Sequence, residues 1–472
     1  MGTRESLPSS KKSELSTDLG IGFSLNDRTR ILEIGIPDRH RMRHSFIFGT
    51  TGVGKTRLAE YLVEQDIRKG YSVAFFDPKG DQDIFAKIVD VAEQCGRFHE
   101  LMLVTPIYPE YSAIIDPMAY YFMVDELVGH VVSGIKGGKE PFFRNIAKDI
   151  TLAVILSIRL IAEAEKKSPR LNFNELRKGI RRSTLKEYRE ALLTIASSES
   201  IEVAGMIQDV LESPQEYYAK VSSSLRTALV ELSSGNIGKI IGKADENRFI
   251  KRLEQGKRVI LAIHSGSLIT REAAATLCKV IISIIQSFIG RTYLSSRRVV
   301  NPPFSIYIDE AQSLLYQGIE DLFAKAGSAN VMVNAFAQSV NQLYAAVGEE
   351  FAKSILDNTN TKLFMRCPDA ETSAYATEHF GVHKVLAPIM QPTGAITARE
   401  VEEDVLRVSD ILDLGQQEFY LMTYSGRYRG RVRDVRPSRL KIEFPKAPAG
   451  VVMPAEEEET SEENKTTAEE EC

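Results

Sequence analysis

Gly49-Thr50-Thr51-Gly52-Val53-Gly54-Lys55-Thr56 follows the spacing G-x-x-x-x-G-K-[ST]. Glycines let such a loop wrap closely, so that backbone N–H groups point at a polyphosphate. A following helix would add the positive end of its dipole. Lys55 suits the β- and γ-phosphates and the Thr56 hydroxyl suits Mg²⁺. A second set of groups lies far along the chain. Pro302-Pro303-Phe304-Ser305-Ile306-Tyr307-Ile308 runs into Asp309-Glu310. An acid at the C-terminal end of a strand sits at the mouth of an open α/β sheet. Asp309 there suits the Mg²⁺ hydration shell, and Glu310 suits a general base for an attacking water. The bland alternative is that the two acids cap the helix Ala311-Gln312-Ser313-Leu314. Gln338, after the strand Asn330–Ala337, would orient water or report the γ-phosphate, although a polar strand end is also ordinary turn chemistry.

These groups need elements to hold them. Ser45-Phe46-Ile47-Phe48 reads as a buried strand, and Arg57-Leu58-Ala59-Glu60-Tyr61-Leu62 as the helix after the loop. A second strand, Ser72–Phe76, ends in Asp77-Pro78-Lys79-Gly80-Asp81. A helix from about Ile84 to Cys95 and a third strand, Leu101–Val104, follow. This βαβαβ order predicts a parallel sheet covered on both faces. From Met118 to Leu232 the pattern is helical, with Thr184–Glu187 resembling a capping box. Arg258–Ile263 then resumes the sheet. The division is a tail and short extended segment over 1–40, core over 41–117, a helical insert over 118–235, further core over 236–445, and an acidic tail over 446–472.

Composition narrows the classes. The chain has 472 residues, 43% apolar, enough for a sizeable core. Its net charge of −5 hides an asymmetry: Ala455–Cys472 holds nine Glu against one Lys, so the remainder carries +3. That tail has no apolar periodicity and is expected to be disordered. Cys95, Cys278, Cys367 and Cys472 lack metal-ligand spacing and suit a reducing compartment. His40, His44, His379 and His383 read as surface or loop residues. No signal peptide is expected, and the apolar stretch Ala273–Gly290 carries Lys279, which suits a core helix better than a membrane span.

The loop preceded by Arg43-His44, the segment Phe76–Asp81, Ile308-Asp309-Glu310, Phe336-Ala337-Gln338-Ser339, and Asn358-Thr359 with Asp369-Ala370-Glu371-Thr372 resemble, in order, the conjugative coupling ATPases of the TraD/TraG group, in the HerA–FtsK branch. The resemblance covers roughly residues 40–435. It implies a RecA-like α/β domain with a mainly parallel sheet, interrupted by an all-α insert. It implies ATP and Mg²⁺ as cofactors and a homo-hexameric ring that moves single- or double-stranded DNA. The implied partners are relaxase or relaxosome proteins, type IV secretion components and a membrane-anchored protein. The implied location is cytoplasmic, at the inner membrane through partners. Carried over, Gly49 to Thr56 bind the nucleotide, Thr56 and Asp309 hold Mg²⁺, and Lys55, Asp309, Glu310 and Gln338 serve hydrolysis.

Two departures stand out. Relatives often begin with transmembrane helices, and none is read here. Relatives also often carry a trans-acting Arg before the sensor strand, whereas Leu322–Asn330 has none; Lys325 and Arg366 are the candidate substitutes. Both departures keep open a nucleotide-gated docking adaptor for protein cargo. A metabolic kinase fits poorly with the Asp-Glu pair and the long helical gap before it. DNA contact has two candidates: Arg177, Lys178, Arg181 and Arg182 in the insert, and the strand row Arg427, Arg429, Arg431 and Arg433 beside Tyr424 and Tyr428. The row reads equally well as a charged face protecting a sheet edge.

Overall fold

The computed structural model describes residues 15–135, 141–241, 247–266, 272–390 and 396–443. The acidic tail lies outside the described residues. One 11-stranded sheet runs in the order β2-β1-β13-β12-β9-β3-β8-β7-β4-β6-β5. Its parallel part comprises β9 (Thr361–Phe364), β3 (Ser45–Phe48), β8 (Val331–Ala337), β7 (Phe304–Ile308), β4 (Ser72–Asp77), β6 (Ile260–His264) and β5 (Leu101–Val104). An antiparallel meander of β12 (Glu418–Thr423), β13 (Gly426–Val432), β1 (Ser16–Ser24) and β2 (Asp27–Pro37) extends it beyond β9. A separate hairpin pairs β10 (Val382–Met390) with β11 (Ile396–Asp404).

Strands β3, β4, β6, β7 and β8 are buried at every position. That is why they read as continuous apolar runs rather than alternating ones: helices cover both faces of a parallel sheet. Between β5 and β6 the described chain forms helices, among them Pro141–Ala164, Arg182–Ile195 and Ser198–Glu212. The fold is therefore α/β, a mainly parallel sheet interrupted by helices. The helix Glu272–Leu294 is long and apolar enough to cross a membrane, yet 67% of its most apolar window is buried in the body.

Three expectations are corrected. Thr184–Glu187 is no cap, because it lies inside the helix Arg182–Ile195, whose N-cap position is Arg181. Strand β13 is no sheet edge, because β1 and β12 flank it. His44 is no surface residue: it is 2% exposed and its Nδ1 accepts the Val333 N–H at 3.1 Å. A position immediately before a strand reads as a loop, but tertiary packing drew this ring against Phe323.

A buried polar cluster ties the parallel strands together from below. The Arg41 guanidinium donates to both Asp66 oxygens, at 2.6 and 2.8 Å, and to Thr17 Oγ1 at 2.8 Å. Tyr307 Oη donates to Asp66 Oδ2 at 2.5 Å and accepts from Arg41 Nη2 at 3.1 Å. Arg41 precedes β3, Asp66 lies in the helix Lys55–Arg68, and Tyr307 lies in β7. Burial opposes the Arg41 charge, but Asp66 more than offsets it and holds its pKa well above the ordinary value.

Removing one member of a buried ion pair strands the other, so Arg41→Met is expected to cost about 3–5 kcal/mol in urea unfolding. Burial lowers the His44 pKa to about 4 and the His130 pKa to about 3, from an ordinary 6.5. Both rings are therefore neutral at pH 7, and below pH 6.5 the unfolded chain takes up the protons first. Stability contributed by each ring is complete above pH 6.5 and falls by about 3 kcal/mol toward pH 4. His130 Nδ1 lies 2.9 Å from Ser283 Oγ. The double variant His130→Leu/Ser283→Ala, which removes one ring and its partner together, should remove about half of this two-histidine loss in denaturation curves collected from pH 7 to 4.

Candidate active site

Strand order decides which residues meet. β8 lies between β3 and β7, so the phosphate loop, Gln338 and Asp309-Glu310 emerge side by side at the C-terminal ends of three neighbouring strands. The Gly49 N–H donates to Ala337 O at 3.2 Å, and the Asp309 N–H donates to Phe76 O at 3.0 Å. Residues far apart in sequence are thereby joined at one sheet edge.

Within the loop, Lys55 folds back to donate to the carbonyls of Gly49 and, at 3.0 Å, Thr50. Burial lowers the Lys55 pKa, with Asp309 and Glu310 opposing that effect and Lys79 adding to it. Gly54, at φ 107°, starts the helix Lys55–Arg68 in the left-handed region. A Cβ there would lie 2.9 Å from Gln417 Cγ. The Gln417 N–H in turn donates to Val53 O at 2.8 Å, so the segment entering β12 grips the loop from outside. A Cβ on Gly52 would meet nothing within 4 Å, which leaves that side of the loop open.

Glu310 adopts φ 46°, ψ 49°, an uncommon conformation for a residue with a side chain. No side-chain cap bond reaches the short helix Ala311–Leu314. Strain of this kind clusters at functional sites. The Glu310 carboxylate pairs with Lys79, accepts from Gln312, and accepts from Gln338 Nε2 at 3.1 and 3.3 Å. Burial alone would raise its pKa, but Lys79 and Gln338 hold it below the ordinary value. Burial pushes Asp309 the other way, up to about 6, against the pull of Lys79 and with help from Asp77. The structure thus brings Lys55, Asp309, Glu310 and Gln338 into one cluster. An ammonium, a hydroxyl at Thr56, two carboxylates and an open loop form the donor set that a magnesium nucleotide requires.

Lys79 was not singled out as a site residue from sequence. Its loop is held by Asp77, whose carboxylate accepts the N–H groups of Lys79 at 2.9 Å, Gly80 at 3.0 Å and Asp81 at 2.5 Å. Burial raises the Asp77 pKa, and these three donors oppose it. Gly80 sits at φ 81°, where a Cβ would lie 2.7 Å from His264 Nε2. The available signal was the segment Asp77-Pro78-Lys79-Gly80-Asp81 at a strand's C-terminal end, the position from which a βα loop serves an α/β site.

Two segments of the chain, and its fold as a whole, resemble known proteins. Residues 32–119 match the family described as the central domain of the helicase HerA. Residues 303–416 match the family described as the TraM recognition site of TraD and TraG. These two segments make the chain similar to coupling proteins of the TraD/TraG type. A stretch of 85 residues is 33% identical to the type 4 coupling protein DotL of Legionella pneumophila, covering 18% of this chain and 11% of that relative. The match therefore spans about a tenth of DotL. The bacterial conjugative coupling protein TrwBdeltaN70 shares the fold at a TM-score of 0.65, with 17% identity and 92% of each chain covered. TrwB in complex with ADP and Mg²⁺ superposes at 0.64, with 18% identity, over 86% of this chain and 89% of that one.

Cations away from this cluster are largely engaged within the chain. Arg177 donates to Asn174 at 2.7 Å, Lys178 pairs with Glu175 at 2.7 Å, and Arg182 donates to Leu211 O and lies over the Tyr218 ring. In β13, Arg429 pairs with Glu418 at 3.4 Å and lies over Tyr420. Arg433, just beyond, pairs with Asp18 at 2.5 Å and Glu33 at 3.1 Å. Arg181 and Arg431 remain exposed. Lys325 pairs with Asp321 at 2.7 Å before the N-terminal end of β8, away from the phosphate loop. Arg366 is exposed just beyond β9, and its carbonyl accepts the Thr50 N–H at 3.0 Å.

The tight seat of the β4 loop gives a stability prediction. Gly80→Ala would force a Cβ into a left-handed position against His264, at an expected cost of about 1–2 kcal/mol. Urea unfolding monitored by far-UV circular dichroism would measure it.

Proposed function

We propose that this chain is an ATP-hydrolysing coupling protein that works as a homo-hexameric ring and delivers DNA, with its relaxase, to a type IV secretion channel. The observation that carries the reading is the convergence of Lys55, Asp309, Glu310 and Gln338 on adjacent strand ends of a coupling-type fold. The helical block over residues 118–235 would be the all-α domain of the group. The working location would be the cytoplasmic side of the inner membrane, through a membrane-anchored partner.

In this reading the backbone of Gly49–Thr56 and the Lys55 ammonium bind the phosphates, while Thr56 and Asp309 hold Mg²⁺. When bound, that ion neutralises phosphate charge. Lys55 already lies in the loop, its ammonium satisfied by carbonyls, so it needs to turn toward the phosphates rather than enter the site. Glu310 takes the proton of the attacking water, a role that requires its Oε2 to loosen from Gln312 while Lys79 stays on Oε1. Gln338, bonded to Glu310, links the state of that carboxylate to β8.

A partner-dependent reading is favoured by one observation: Leu322–Asn330 contains no Arg. A missing arginine finger costs about 10³–10⁵ in rate where other enzymes use one. The alternative is a nucleotide-gated docking adaptor whose hydrolysis awaits a partner or an engaged cargo.

Steady-state ATP hydrolysis, with and without single- and double-stranded DNA, tests the proposal. The expected result is DNA-stimulated turnover that falls by about 10²-fold or more in Glu310→Gln while nucleotide binding persists. DNA stimulation should weaken as salt rises, because phosphate contacts release counterions. Nucleotide binding with negligible turnover in every condition would overturn the autonomous motor and leave the adaptor.

A further inference from the structure

The loop after β4 delivers a cation to the carboxylate that the proposed hydrolysis uses. Lys79 Nζ pairs with Glu310 Oε1. The Lys79 side chain is 46% exposed, whereas that of Glu310 is 11% exposed. Its other charged neighbours are Asp309, Asp77 and Lys55. An exposed surface pair would normally contribute little. This pair differs because one partner is buried within the phosphate site and the other stands on a loop fixed at three consecutive N–H groups by Asp77. The helix Gln82–Gln94, N-capped by Asp81, fixes the loop's far end. The backbone is thus held while a long side chain with three rotatable donors reaches across the opening.

A nucleoside triphosphate in the phosphate loop would bring its terminal phosphate toward Glu310, setting two anions against one another. A diphosphate would not. We propose that Lys79 is a specificity-determining residue of this site: its ammonium bridges Glu310 and the terminal phosphate, so that triphosphate is accepted beside a charged carboxylate and distinguished from diphosphate. Lys79 Nζ would then be shared between Glu310 and the terminal phosphate. This inference rests on the nucleotide-site reading given above. It places the discriminating cation in the same chain as the loop, independently of any neighbouring subunit.

Binding, not turnover, tests it. Affinities for a β,γ-imido analogue of ATP and for ADP, each with Mg²⁺, would be measured for the full chain by fluorescence competition. Lys79→Ala is expected to weaken the analogue about tenfold while changing ADP by less than about twofold. Lys79→Arg should restore most of the difference, since it keeps the charge. Combining Lys79→Ala with Glu310→Gln should recover triphosphate affinity, because the repelling carboxylate is then gone. Thermal melts would confirm that each variant is folded. Equal weakening of both nucleotides, or no change in either, would overturn the role of Lys79 while leaving the nucleotide site intact. Failure of the wild-type chain to bind either nucleotide would overturn the site itself.

Discussion

The buried pairing of Arg41 with Asp66, closed by Tyr307, is the contact on which the active site's geometry depends. It joins the residue that leads into β3, the helix that leaves the phosphate loop, and the strand that ends in Asp309-Glu310. Both charges lie out of water, Arg41 at 2% exposed and Asp66 at 0%. Such a pair contributes little net stability compared with apolar residues of similar volume, but an incomplete one is costly. Its effect is geometric. Three elements must adopt one mutual position for all the donors and acceptors to be satisfied, and that position puts the loop and carboxylates together at the opposite end of the sheet.

That fixed frame surrounds a carboxylate in an unusual state. Glu310 sits in a left-handed conformation and is held by a cation and two amides. Its neighbour Asp309 is pushed toward neutrality by burial, while Glu310 is kept ionised by its partners. Two adjacent acids are therefore driven apart in proton affinity, a pattern that separates roles within one site. The division follows from chain direction: Asp309 ends a buried strand, and Glu310 turns out of it toward the donors of two other loops.

Much of this was legible in the sequence because it rests on local chemistry. The phosphate loop, the acid pair and Gln338 stand at strand ends that apolar runs announce, and the structure places them together. Strand order was not legible: nothing local says that β8 inserts between β3 and β7. The meander was equally hidden, since β13 pairs with β1 from the far end of the described chain. His44 was misread because a residue before a strand usually lies at the surface, whereas this one accepts a backbone N–H from β8. The Thr184–Glu187 pattern failed because capping chemistry was present inside a helix already begun. Lys79 escaped because its meaning lies in a partner from another strand.

The grip of Gln417 on Val53 has a consequence for ligand affinity. Loops that order only around their ligand lose about 1–2 kcal/mol of backbone entropy per residue on binding. Here the phosphate loop is hydrogen-bonded from two sides, by the Gln417 N–H ahead of β12 and by the Arg366 carbonyl just beyond β9. These bonds belong to the folded sheet itself. To that extent the free energy of ligand contacts is not consumed in shaping the cradle.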